Sequence, residues 1–115
     1  ATLGADIGIC PLEDRPFNHA KSSIKYYEYS ALGLATVASD TPPYKDDITA
    51  SRGVLAKPEE FEANLEELIT DPITRSSMAR EARKHVLATR SMDTLGKDWL
   101  EVFETAATAK KEAHA

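Results

Sequence analysis

Three short runs, "DIGICPL" (6–12), "ATVAS" (35–39) and "VLAK" (54–57), are apolar or small almost throughout rather than at alternate positions. A strand with one wet face alternates; one without alternation is covered on both sides, as in a parallel sheet. Between and after these runs, apolar residues recur at helical spacings. The order predicts an α/β fold: a partial, Rossmann-like parallel sheet of three strands, helices on both faces and a helical C-terminal part. At 115 residues the chain reads as a single domain, 1–115, able to bury roughly two thirds of its unfolded surface.

Pro11 closes the first strand, and "EDRPFNHA" is a polar loop. A helix is expected from Lys21 to Leu32, stopped by Gly33. Two prolines should keep "DTPPY" out of regular structure, with one helical turn in "YKDDI". Pro58 opens a helix carrying Phe61, Leu65, Leu68 and Ile69, and Asp71 is the expected N-cap of the next, whose apolar face is Met78, Ala82, Val86 and Leu87. A last helix from Asp93 presents Leu95, Trp99, Val102, Phe103 and Ala106, which read as core, before a tail "ATAKKEAHA" expected to fray. Residues 1–57 thus supply strands and loops at a ligand edge, and 58–115 are mostly helical.

A net charge of −5 gives no support for nucleic-acid binding. The acid excess lies in the helical half: residues 1–57 hold six Lys/Arg against seven Asp/Glu, and 58–115 hold eight against twelve. No apolar run approaches a membrane span, and no signal-peptide pattern is present, so a cytoplasmic location is expected. The lone Cys10 permits no internal disulfide and reads as a small strand filler, while the three histidines show no metal-ligand spacing. The opening "ATLGADIGIC" reads as the middle of something larger.

The chemistry concentrates in "NHAKSSIKYYEYSALG". In a doubly wound sheet the ligand lies beyond the carboxyl ends of the strands, here the loops 13–20 and 40–46 and the start of the helix near Lys21. A helix N-terminus there is an anion site, because its free amides and dipole favour negative charge. Small Ser22 and Ser23 allow close approach of a phosphate, and Lys21, Lys25 and Glu28 share one face. Glu28 also falls on the stripe of Ile24, Tyr27, Ala31 and Leu32. Either it forms a surface ion pair with Lys25, or it accepts hydrogen bonds from a ligand's hydroxyls; a carboxylate among apolar neighbours needs such a partner.

The segments "ADIGICPL", "AKSSIKYYEYSALGLATVASD", "YKDDI" and "RGVLAKPEEFEANLEELITD" together resemble the C-terminal nucleotide-sugar-binding domain of GT-B glycosyltransferases of the group-1 type. The likeness runs from about Ala5 to Phe103 and is strongest in "IKYYEYSALGLATVAS". It implies a transferase that binds the nucleoside diphosphate of an activated sugar donor, with no metal and no cofactor. Glu28 matches the glutamate that holds the donor's ribose hydroxyls; Ser23 and Ile24 match residues whose amides meet the diphosphate, with Lys21, Ser22 and Lys25 in support. The family's first glutamate would fall at Ala20, where a carboxylate is missing, so no catalytic residue is assigned. The resemblance also implies upstream strands and an N-terminal acceptor domain, and a last helix that crosses to that partner. Without those strands the first strand would have an open edge, a route to homo-oligomers.

Asp40 and Tyr44 lie at the expected ligand edge; Asp40 is a candidate sugar contact or an ordinary turn former. Glu13 and Asp14 lack the separation a glycosidase pair needs. A non-catalytic nucleotide- or partner-binding module with the same half sheet is the alternative, to which Ala20 gives weight. A receiver-like domain would want acids at the end of strand one, and Glu13 and Asp14 lie past Pro11.

Overall fold

The computed structural model describes residues 4–114. Strands β1 (Ile7–Cys10), β2 (Ala35–Ser39) and β3 (Val54–Ala56) form one parallel sheet in the order β1-β2-β3. Ile7 pairs with Ala35 and Val37 with Val54, which sets the register. All five residues of β2 are buried, as expected of a central strand without alternation. The helical segments are α1 (Pro16–His19), α2 (Ile24–Ala31), α3 (Pro42–Lys45), α4 (Phe61–Thr70), α5 (Pro72–Arg90) and α6 (Met92–His114), with a 3-10 turn at Pro58–Glu60 leading into α4.

Two cores lie on opposite faces of the sheet. One gathers Cys10, Tyr26, Ala38, Tyr44, Ile48, Ala82 and Val86 under α2, α3 and the second half of α5. The other gathers Ala35, Val37, Ala56, Leu68, Met78 and Ala79 under α4 and the first half of α5. Asp71 caps α5, accepting from the Thr74 amide at 3.1 Å and the Thr74 hydroxyl at 2.6 Å.

Several expectations need correction. The helix expected from Lys21 begins at Ile24, because the Lys21 amide closes the α1 turn onto the Asn18 carbonyl. Pro42 and Pro43 do not exclude regular structure: they occupy the first two positions of α3, where a missing N–H costs nothing. Trp99 and Phe103 are not core; they are 59% and 63% exposed and touch each other with ring centroids 5.9 Å apart. The Ala-rich tail continues α6 to His114, in keeping with its good helix formers.

The largest correction concerns α2. Its buried face is Ser23, Tyr26 and Ser30, with Tyr27 and Tyr29 half-buried beside them, while Ile24 and Leu32 are exposed. Glu28 is therefore not on a core-facing stripe. Tyr26 is wholly buried, and its hydroxyl reaches the Arg52 carbonyl at 3.1 Å, so the ring is buried without stranding its polar end. Tyr29 packs against Gly8 of β1, with ring carbons 2.4 to 2.9 Å from where a Cβ would stand.

A Gly8→Ala substitution forces that ring outward, and is expected to destabilise the chain by about 1–3 kcal/mol. Gly96, with open space around it in α6, is the contrast: Gly96→Ala should raise helicity and stability by about 0.5–1 kcal/mol. Urea unfolding followed by circular dichroism measures both.

Candidate functional site

The crossover from β1 through α2 to β2 puts the start of α2 beside the carboxyl edge of the sheet. The loop after β1 is pinned there by the Leu12 amide, which donates to the Ser39 hydroxyl at 2.6 Å. Lys21, Ser22, Ile24 and Lys25 are all exposed around this first turn. Among the described residues Lys21 pairs with no acid; its ammonium lies 5.6 Å from the Phe17 ring centroid.

No side chain caps α2, and among the described residues the amides of Ile24, Lys25 and Tyr26 have no intramolecular acceptor. Every helix start leaves these amides free, and the N-cap residue Ser23 does not take up one of them. Its side chain is buried, and its hydroxyl donates to the carboxylate of Asp47 instead of accepting from the helix. Ser23 as a whole is only 2% exposed, so neither its hydroxyl nor its amide is presented to a ligand, contrary to the role expected of it.

Glu28 stands one turn further on, 54% exposed at the side chain, with Lys25 Nζ 3.3 Å from its Oε2. It belongs to one wall of an open hollow of about 540 Å³ between α2, the end of α5 and the start of α6, mostly lined by Ile24, Tyr27, Val86, Leu87 and Leu95, with Arg90 at its rim. Asp40 at the end of β2 pairs with Lys45 at 3.5 Å and does not meet the α2 residues. Of the expected site residues, Lys21, Ser22 and Ser23 lead into α2, Ile24 and Lys25 begin it, Glu28 joins them through Lys25, and Asp40 stands apart.

Sequence reasoning missed the polar cluster behind this turn. Asp47 accepts from Ser23, from the Tyr27 hydroxyl at 2.7 Å and from Arg90 at 3.4 Å, and its side chain is only 14% exposed. Burial disfavours its charged form, but the hydrogen bonds from Ser23, Tyr27 and Arg90 and the Arg90 charge outweigh that and hold the carboxyl below its ordinary range. Arg52 donates to the Asp47 carbonyl at 2.8 Å and to His85 Nδ1 at 2.9 Å, so His85 serves as an acceptor in its neutral form. Arg90 also lies over the Tyr27 ring at 5.2 Å.

No family model matches the chain, and no curated protein matches it. None of the described helices is long and apolar enough to cross a membrane. The fold and site define an α/β chain with a three-stranded parallel sheet and an uncapped, lysine-flanked helix start at its carboxyl edge.

Burial, and then the neighbouring charge of Arg52, lower the His85 pKa from its ordinary value. The unfolded chain therefore takes up a proton that the folded one resists, and stability falls as pH drops through the ordinary histidine value near 6.5 towards the lower folded one. Thermal melts at pH 7.5 and pH 5.5 should show this loss, and His85→Gln should flatten that part of the profile.

Proposed function

We propose that the chain is the C-terminal part of the nucleotide-sugar-binding domain of a GT-B glycosyltransferase, and that the start of α2 binds the diphosphate of an activated sugar donor. The observation that carries this reading is the start of α2: the Ile24 and Lys25 amides, on exposed residues and without an acceptor among the described residues, flanked by Lys21 and Ser22, at the carboxyl edge of a parallel sheet. The one-directional strand order also fits half of a doubly wound sheet.

In this reading the exposed Ile24 amide and the two lysines hold phosphate oxygens, and the buried Ser23 supports the turn from behind. Glu28, exposed one turn on, accepts from ribose hydroxyls once Lys25 turns from it to phosphate. Glu28 faces the hollow and solvent, so it is not a buried carboxylate that needs a ligand to satisfy it. Catalysis would come from positioning and from stabilising charge on the departing nucleoside diphosphate. Upstream strands would pair with the open side of β1, where Ile9 is 48% exposed, and an acceptor domain would meet the aromatics of α6. A second copy is the alternative occupant of that β1 edge.

The second reading, a non-catalytic nucleotide- or partner-binding module, draws on Ala20, which lies exposed between α1 and α2 and brings no carboxylate to the site.

Titration with ADP, GDP and UDP tests the proposal. At least one should bind, with Lys21→Ala/Lys25→Ala weakening it by about tenfold, the scale of a lost charge-assisted contact. Glu28→Gln should weaken the nucleoside diphosphate and leave inorganic pyrophosphate unaffected, since only the former carries a ribose. The chain alone should transfer no sugar. Binding by a longer chain that includes upstream strands, without transfer, would favour the module; no binding by either would end the proposal.

A further inference from the structure

Helix α6 packs on α5 at its start, where Leu95 is half-buried, and from Gly96 to Ala113 every residue is exposed. Along it Met92, Leu95, Trp99 and Val102, then Ala106, Ala109 and Ala113, fall alternately three and four residues apart. A 3.5-residue apolar repeat is the seam of a helix that pairs with another helix along its length. This seam is uneven in two respects. Large side chains fill its first half and alanines its second. Charge divides at the same place: residues 92–104 carry Asp93, Asp98, Glu101 and Glu104 against Lys97, whereas 105–113 carry Lys110 and Lys111 against Glu112.

We infer that α6 is a docking surface for a second copy of this chain, the two helices pairing antiparallel about a two-fold axis that passes between Val102 and Ala106. Val102 then lies opposite Ala106 of the second copy, Trp99 opposite Ala109 of the second copy, and Leu95 opposite Ala113 of the second copy. Bulk meets space at each step, as close packing requires. The acidic half of each helix also runs beside the lysine-bearing half of the other, which fixes direction. A parallel pair would set Trp99 on its own copy, alanine on alanine and acid on acid. The function proposed above offers an acceptor domain for the same aromatics, but it calls for neither the alanine half of the seam nor the lysines beside it. The pairing does not depend on that function.

Sedimentation equilibrium of the chain over a dilution series tests this. The wild-type protein should be a dimer that dissociates on dilution. Trp99→Ala should weaken it about tenfold, as loss of a central aromatic anchor does. Ala109→Trp reads the direction of pairing. Set against Trp99 of the second copy it overcrowds the antiparallel seam and should also weaken the dimer about tenfold. Trp99→Ala/Ala109→Trp exchanges the two positions and should recover most of either loss. Both residues are exposed, so neither change reaches the two cores. A wild-type chain that is monomeric throughout overturns the inference and leaves α6 to a different domain or protein. A dimer that Trp99→Ala leaves intact overturns it too, and places the contact elsewhere, as at the open side of β1. A dimer that Ala109→Trp strengthens overturns the antiparallel pairing, since only there does position 109 face Trp99.

Discussion

The Tyr29 ring resting on Gly8 sets how α2 is rotated on the sheet, and the character of the site follows from that rotation. With no side chain on β1 at this point, an aromatic ring approaches the backbone and brings Tyr26 and Ser30 down with it. Ile24 and Leu32 then turn outward, and Glu28 faces the hollow beside α5. A bulkier residue at position 8 would push the tyrosine face away.

Rotation also fixes the polar chemistry. It carries Ser23 and Tyr27 to Asp47, and Asp47 gathers Arg90 from the far end of α5. The first turn of the helix, the last residue of α5 and the connection between β2 and β3 are thereby joined at one carboxylate. Such a cluster costs desolvation, and what offsets it is the number of donors that converge there. Arg83 adds a second tie between the helices, from its Nε to the Ala31 carbonyl at 3.2 Å.

The sheet was largely legible from the residues. β2 matches its apolar run end to end, and Asp71 caps α5 as its position suggests. The facing of α2 was not legible, because two stripes share the same spacing: Ile24-Tyr27-Ala31 and Ser23-Tyr26-Ser30. Hydropathy favours the first. Packing selects the second, since Tyr26 finds the Arg52 carbonyl and Tyr29 finds Gly8. The lysine-flanked helix start could be read because its parts are adjacent in the chain. Asp47 could not, since its partners Tyr27, Ser23 and Arg90 lie 20, 24 and 43 residues away.

Cys10 ends β1 almost fully covered, and burial pushes its thiol up, so the reactive thiolate is scarce while the strand stays in place. Among the described residues β1 is also an outer strand, bonded on one side only. A thiol-directed label thus reports how often this margin of the sheet detaches, giving the chain an intrinsic clock for fraying that needs no engineered probe.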